Sequence, residues 1–131
     1  MSHPKLVGQP QVFVNSAIGL IESMGMYNET DGAIEPMLAD SWSISEDFTT
    51  WTFNLHKGVQ FHKGYGEMTA EDVIWSHEMV SQSEKHTRAQ NAKMVWFGED
   101  STIETPDDYT IRLDTGEPFS DIIVNELIAT P

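Results

Sequence analysis

The chain has 131 residues, of which 39% are hydrophobic, and this length and apolar content predict one folded domain over residues 1–131. Seven Lys and Arg residues against 21 Asp and Glu residues give a net charge of −14, so the phosphates of nucleic acid and an anionic membrane surface would both repel the protein. The sequence contains no cysteine, which excludes disulfides, thiolate metal ligands and cysteine nucleophiles.

The first predicted elements are a short strand and a helix. Residues 11–15, QVFVN, have the composition of a strand, and residues 16–27 place apolar residues at helical spacing. Asn15, at the end of the strand, has two interpretations: its amide binds a ligand, or it closes a turn. A tight turn is predicted at Asp31-Gly32, because both residue types favour turn conformations.

An antiparallel hairpin is predicted next, over the segment SWSISEDFTTWTFNL. Apolar and polar residues alternate on both sides of the polar connection SEDFT, so each strand has one dry face. The residues of that face are Trp42, Ile44, Trp51, Phe53 and Leu55. Val59 and Phe61 continue the alternation beyond Gly58, which predicts a bent continuation of the strand with Phe61 in the core.

A helix is predicted over residues 70–83. Thr69 is suited to be its N-cap, and Asp72 completes a capping box because its carboxylate can reach back to the first turn. The buried stripe of this helix is predicted to comprise Val73, Ile74, His77 and Val80, flanked by Trp75 and Met79. We interpret His77 as a hydrogen-bonded core or boundary histidine.

The C-terminal part of the chain combines a loop, a hairpin and a final apolar segment. Trp96 and Phe97 lie outside any periodic element and have two interpretations, an exposed aromatic platform for a ligand or a plug beneath a loop. The segment STIETPDDYTIRLDTGEP predicts a second hairpin that turns at TPDD, and an apolar helix is predicted from Pro118 onward. This order predicts an α+β fold, an antiparallel sheet of hairpins with two to three packed helices.

The sequence has no motif typical of a catalytic, metal or cofactor site. None of the five histidines has the HExxH spacing of a zinc site, GxSxG is absent, and HKGYGEMT lacks the Lys-Ser/Thr ending of a phosphate-binding loop. We therefore predict no enzymatic activity, no metal and no cofactor. Clustering of His56, His62 and Glu67 in one cleft would instead favour an enzyme.

Residues 34–76 carry a family likeness. The segment IEPMLADSWSISEDFTTWTFNLHKGVQFHKGYGEMTAEDVIWS resembles the pattern P-x-L-A-x-S-W-x-x-S-x-D-x-x-x-[WY]-T-F-x-L-[RK]-x-G-V-x-F-H-x-G-x-x-x-T-A-x-D-V, with one additional residue between Gly64 and Thr69 and with His56 where Arg is frequent. This is the pattern of the peptide/nickel-type extracellular solute-binding proteins of ABC importers, family 5. The later segment IETPDDYTIRLDTGEPF is similar to a hairpin and helix start of the same family.

The resemblance implies part of the N-terminal lobe of a periplasmic binding protein type II-like fold, in a protein several times longer than this chain. Such a protein captures a peptide or another small solute between two lobes and delivers it to an ABC permease without catalysis, in the periplasm or outside the cell. We predict Asn15, Trp96 and Phe97 as ligand-binding residues. The glycine-rich corner, residues 58–69, is then expected to be scaffold.

A second hypothesis is a self-associating interaction module with no ligand binding of its own. Such a module would use the final apolar helix and the unpaired edges of the sheet, and it implies a homo-oligomer. The transport hypothesis implies instead a solute and a permease as partners. Because the chain has no signal-peptide pattern, an exported protein would already have lost its signal.

Overall fold

The computed structural model describes residues 23–28, 30–84, 93 and 96–118. These residues form two antiparallel sheets and an α-helix, which confirms the predicted α+β class. Three predicted elements lie outside the described residues: the strand at residues 11–15, the helix at residues 16–27 except for its last few residues, and the helix that follows Pro118.

The first sheet is a two-stranded antiparallel hairpin of β1 (Gly25–Tyr27) and β2 (Ile34–Pro36). The predicted turn at Asp31-Gly32 is confirmed in the connection between these strands. The Asp31 carboxylate accepts a hydrogen bond from the Ala33 amide at 2.9 Å, and this bond holds the turn as an aspartate side chain commonly does.

The helix predicted from residue 16 extends too far, because residues 25–27 form strand β1. Gly25 disfavours a helix, and its missing side chain permits close strand pairing, since a Cβ there would lie 3.0 Å from Ile34 Cγ2. The preceding carbonyl, Met24 O, accepts from the Ala39 amide at 2.9 Å. Non-local backbone bonds of this kind hold the chain extended, and local helical spacing cannot reveal them.

The second sheet has the strand order β3-β4-β6-β5, and all its neighbouring strands are antiparallel. The strands are β3 (Ala39–Ile44), β4 (Thr50–Leu55), β5 (Thr102–Asp107) and β6 (Thr110–Asp114). Both predicted hairpins are confirmed, and the pairing of β4 with β6 joins them into one sheet.

The turn of the second hairpin lies later along the chain than the predicted TPDD. Strand β5 continues through Pro106 to Asp107, and Asp108 and Tyr109 form the turn. Proline is tolerated there because β5 is an edge strand, whose outer side requires no amide donor. The Asp107 carboxylate accepts from the Tyr109 amide at 2.8 Å, which fixes the turn after the proline rather than at it.

The helix α1 (Ala70–Ser81) begins at the predicted N-cap and ends slightly earlier than predicted. The capping box is confirmed, because the Asp72 carboxylate accepts from the Thr69 amide at 2.8 Å and from the Thr69 hydroxyl at 2.9 Å. The fully buried side chains of α1 are Ala70, Val73 and His77. Trp75 and Met79, which the sequence places beside the buried stripe, are exposed on the outer side.

The core fills the space between the four-stranded sheet and α1. Its least exposed large side chains are Trp51, Phe53, Trp96, Ile111 and Leu113. β4 and β6 supply four of them, and these four occupy alternate positions along the two strands, as the sequence predicts for a sheet with one dry face.

Phe61 corrects a sequence prediction. Its side chain is 43% exposed, whereas Phe53 is 0% exposed, so the expected core position of Phe61 is wrong. Strand β4 ends at Leu55, and Gly58 then adopts φ +80°, which turns the chain away from the sheet. Beyond this turn Gln60 forms only an isolated bridge, so the alternation no longer aims its apolar residues at the core.

Phe53→Ala and Phe61→Ala form a matched pair that tests this assignment. Loss of the Phe53 ring leaves a cavity in the core and should lower the free energy of unfolding by about 3–5 kcal/mol. Loss of the half-exposed Phe61 ring should change it by less than about 1 kcal/mol. Urea denaturation of both variants measures the difference, and equal losses would contradict the structure.

A second matched pair of variants, at two glycines, tests the backbone conformation. Gly58 and Gly116 both have a positive φ, of +80° and +71°. A Cβ added at Gly58 would meet nothing within 4 Å. A Cβ added at Gly116 would lie 2.6 Å from Asp100 Cβ and 2.9 Å from Asp100 O. Gly58→Ala should therefore lower stability by about 1 kcal/mol, the left-handed penalty alone. Gly116→Ala should lower it by about 3 kcal/mol, because a clash with backbone is added. Thermal unfolding of the two variants is the measurement. A Gly58→Ala protein that is destabilised as much as the Gly116→Ala protein, or more, would refute the prediction.

Candidate functional site

The glycine-rich corner is the most conspicuous loop in the described chain. Its two ends are joined by backbone hydrogen bonds, from Met68 N to Val59 O at 2.8 Å and from Phe61 N to Gly66 O at 2.9 Å. Between them lies a short 3-10 turn, His62–Gly64. Because these amides bond to carbonyls of the corner itself, they are not available to hold an anion, and the corner is a closed loop.

Glu67 attaches this corner to the second hairpin. Its Oε1 atom accepts from the Tyr109 hydroxyl at 2.7 Å and from the Gly58 amide at 2.8 Å. The Lys57 ammonium lies 5.0 Å from the centre of the Tyr109 ring, and the Ala70 amide donates to Asp108 O at 2.7 Å. The loop, the start of α1 and the tip of the β5-β6 hairpin are thus tied together by polar contacts.

The sequence analysis does not anticipate this attachment. Glu67 and Tyr109 are 42 positions apart, and each stands in a segment whose local pattern is complete without the other. Only the pairing of β4 with β6 brings the two side chains together, so no short-range signal could have indicated the contact.

The pKa values of the attached groups respond to these bonds. The Tyr109 hydroxyl, together with the Gly58 amide, holds the pKa of Glu67 below its ordinary value of 4.5. The same bond raises the pKa of Tyr109, because an ionised phenol would lose its hydrogen bond and face the Glu67 carboxylate. Since the pKa of Glu67 is lower in the folded protein, its contribution to stability is fully present above pH 4.5 and is lost as the pH falls below 4.5, through the lowered pKa of the folded state.

An open depression lies beside the corner, at the start of α1. It is lined by Phe61, His62, Lys63, Tyr65 and Asp72. Tyr65 is 82% exposed, and the Asp72 carboxylate is already engaged by the Thr69 amide and hydroxyl. The depression therefore lacks the enclosure and the convergent polar groups by which a small-molecule site is recognised.

Trp96 and Phe97, two of the predicted ligand-binding residues, lie against the core. Trp96 is 1% exposed and stacks on Phe53 with ring centres 6.1 Å apart, while Phe97 is partly buried against the same cluster. The interpretation of Trp96 as a plug is therefore the one that its position favours. Asn15, the third predicted residue, lies outside the described residues.

His56 and His62 do not form a recognisable site. His56, the residue after β4, has its Nδ1 atom 2.7 Å from Asp40 Oδ1 of β3 in an exposed pair, and His62 lines the open depression. Across residues 23–28, 30–84, 93 and 96–118, no three His, Asp or Glu side chains are grouped as metal ligands would be. In the same residues, no helix is long and apolar enough to cross a bilayer.

Comparison with known proteins assigns the chain to a family. The pattern of the bacterial extracellular solute-binding proteins, family 5 Middle, matches residues 33–131. The di/tripeptide-binding protein 1 of Pseudomonas aeruginosa strain UCBPP-PA14 is 32% identical to this chain over 73% of the chain and 20% of its own length. Because the family pattern covers well over half of the chain, the chain belongs to the family 5 extracellular solute-binding proteins, as the motif in residues 34–76 predicts.

Solved structures agree with this assignment. The periplasmic binding protein DppA of Helicobacter pylori, in complex with the peptide STSA, has a TM-score of 0.69 and 30% identity over 93% of this chain and 26% of its own. AgaA of A. tumefaciens R10, in complex with agropinic acid, has a TM-score of 0.64 and 31% identity over 77% of this chain and 19% of its own. The chain therefore spans about a fifth to a quarter of these relatives.

Tyr109→Phe tests the attachment of the corner. The substitution removes one donor to the Glu67 carboxylate, so the pKa of Glu67 should rise toward its ordinary value. Asp107 provides an internal control, because the first cause of its lowered pKa is the Tyr109 backbone amide, which phenylalanine retains. NMR titration of the side-chain carboxyl carbons measures both values. An unchanged pKa of Glu67, or an equal rise in the pKa of Asp107, would contradict the assigned hydrogen bond.

Proposed function

We propose that this chain is part of a non-catalytic substrate-binding protein that captures peptides or other small solutes for ABC-type import. The observation that carries the proposal is the family match over residues 33–131. Motif residues within that range have defined structural roles: Trp51 and Phe53 fill the core, and Thr69 with Asp72 starts α1. The resemblance to the family therefore includes the residues that form the core and the start of α1.

The proposed mechanism is enclosure of a solute between two lobes of a longer protein. Affinity in such a protein comes from burying the ligand between two surfaces, and closure moves one lobe relative to the other. In this mechanism the chain contributes framework. In its glycine-rich corner, the Glu67 carboxylate accepts hydrogen bonds from the Tyr109 hydroxyl and the Gly58 amide of the chain itself. We propose that no covalent step is involved, since the matched relatives are binding proteins by name.

The solute is best described by class. Relatives with the same framework are named for dipeptides and tripeptides, and one was solved with agropinic acid, so the framework accommodates ligands of different chemistry. Of the three predicted ligand-binding residues, Phe97 is the one whose side chain is best placed, among the described residues, to contact a ligand. It is partly exposed, whereas Trp96 is buried beneath the surface and would act by supporting its neighbour.

The proposed location is the periplasm or the cell exterior, and the proposed partner of the longer protein is an ABC permease. Relatives are named periplasmic, and DppA is described as associated with an ABC transporter. The net charge of −14 of this chain would disfavour non-specific binding to anionic membrane lipids.

A thermal-shift screen of the complete gene product tests the proposal. Dipeptides, tripeptides, longer peptides and small polar solutes are added separately, and the melting temperature is measured. A ligand at about 100 times its Kd should add about 2.7 kcal/mol of stability and raise the melting temperature by several degrees. The 131-residue chain alone should show no shift with the same ligand, because enclosure requires the second lobe.

Two outcomes would contradict this function. One is a complete protein that none of the peptides or solutes stabilises, and the other is chemical conversion of a bound compound. The self-association hypothesis has its own measurement, multi-angle light scattering of this chain at increasing concentration. A mass that stays at 14.8 kDa would exclude it, and a mass that rises with concentration would favour it.

A further inference from the structure

The helix α1 has apolar side chains on two sides. Ala70 and Val73 are buried on the side that faces the core. Trp75 and Met79, one helical turn apart on the outer side, are 61% and 50% exposed. A helix that is apolar on both sides is typical of one buried between two layers of a larger protein. Among the described residues, α1 packs on the sheet with its inner side, and its outer side faces solvent.

The exposed apolar surface continues from α1 to the glycine-rich corner. Asp72, Trp75 and Met79 follow one another at spacings of three and four residues, so they lie along one side of the helix. Asp72 also lines the open depression, together with Phe61 and Tyr65, which are 43% and 82% exposed. The two rings therefore extend the outer side of α1 at its N-terminal end. We call Phe61, Tyr65, Trp75 and Met79 the outer patch, and a contiguous patch of this kind marks an interaction surface.

The charges of α1 around the outer patch are acidic. Glu71 and Glu78 lie four residues before and three residues after Trp75, so both stand on the same side of the helix, and both are exposed. The helix sequence, AEDVIWSHEMVS, contains no Lys or Arg. Two copies that met through this surface would place these carboxylates against each other, because a two-fold interface pairs a patch with itself. The charge thus favours a partner with basic residues around its apolar contact, over a second copy or an anionic membrane.

The length of the relatives indicates a partner within the same polypeptide. This chain covers 20% of the di/tripeptide-binding protein 1 and 26% of DppA. Packing within one polypeptide avoids the cost of bringing two separate molecules together, because the covalent connection holds both surfaces at a high effective concentration. A patch of a few side chains is therefore sufficient inside a longer protein, whereas free partners would need more contacts.

We propose that the outer patch is an internal docking surface, which the remainder of the longer protein covers with an apolar surface rimmed by Lys or Arg residues. This inference rests on the proposed function, in that it takes the chain to be part of a longer solute-binding protein. Covered in this way, α1 is a central helix that packs on the sheet with Val73 and on the remainder with Trp75 and Met79. The patch then attaches the sheet and the corner to the rest of the protein and binds no solute.

Oxidation of methionine by hydrogen peroxide tests the docking surface on the complete gene product, without solute. Mass spectrometry compares each methionine in the folded protein and in the same protein unfolded in urea. Because oxidation follows exposure, Met79 should react at least about 10-fold more slowly in the folded complete protein. In the 131-residue chain, Met79 should react within about 3-fold of its unfolded rate. Met68, which is 5% exposed, should be protected in both proteins and reports that each is folded.

Two variants of the complete protein test the contact itself. Trp75→Phe keeps an apolar ring on the outer side of α1 and should preserve the slow oxidation of Met79. Trp75→Glu adds a carboxylate beside Glu71 and Glu78, and burying a charge in an apolar contact is costly, so Met79 should be oxidised at least about 5-fold faster than in Trp75→Phe. Trp75 is exposed among the described residues, so both variants should retain the slow oxidation of Met68.

The complete protein alone decides the main point, since a Met79 that reacts there as fast as in urea would overturn the proposal. Equal protection of Met79 in Trp75→Phe and Trp75→Glu would also overturn it. So would a protected Met79 in the 131-residue chain, whether its protection is constant, which indicates cover by the chain itself, or rises with concentration, which indicates a second copy. Because these rates are measured without solute, a complete protein that protects Met79 but that no solute stabilises would contradict the proposed function and not the docking surface.

Discussion

The stacking of aromatic rings on the dry face of the sheet is the interaction on which the described structure depends. Trp51 and Phe53 stand two positions apart on β4 and stack with ring centres 6.2 Å apart, and Trp96 and His77 extend the column to α1. Planar rings in offset contact bury a large apolar area and fix their mutual orientation. The column thus sets both how far the helix stands from the sheet and which of its faces is turned inward.

Sequence reasoning recovers the features that are encoded within a few residues. The alternation around Trp51 and the capping box at Thr69 depend on neighbours two or three positions away, and both are found where they are predicted. Features that depend on distant contacts are missed. Residues 25–27 are extended by bonds to a later strand, Phe61 is turned outward by the conformation of Gly58, and the bond from Tyr109 to Glu67 requires the assembled sheet.

The motif identifies the family but does not indicate the solute, and both facts have the same cause. The motif residues with the clearest roles, such as Trp51, Phe53 and Thr69, pack the core or start a helix, and such positions tolerate few residue types. A ligand surface must differ between a protein that binds a peptide and one that binds agropinic acid. The part of the chain that identifies the family is therefore its framework, and the predicted site residues Asn15, Trp96 and Phe97 lie outside that motif.

The edges of the sheet bear on whether such a framework associates with itself. Edge strand β5 contains Pro106, which has no amide, and an irregularity between Glu104 and Asp107, so a second copy cannot extend the hydrogen-bond ladder there. The opposite edge, β3, is also irregular in its pairing near Ala39. Within the described residues, self-association would then rely on exposed apolar or aromatic side chains, which are Met26, Phe48, Phe61, Tyr65, Trp75 and Met79. A stable interface buries roughly 800 Å² on each partner, so a second copy would have to cover several of these side chains together and could not rely on strand pairing at β5.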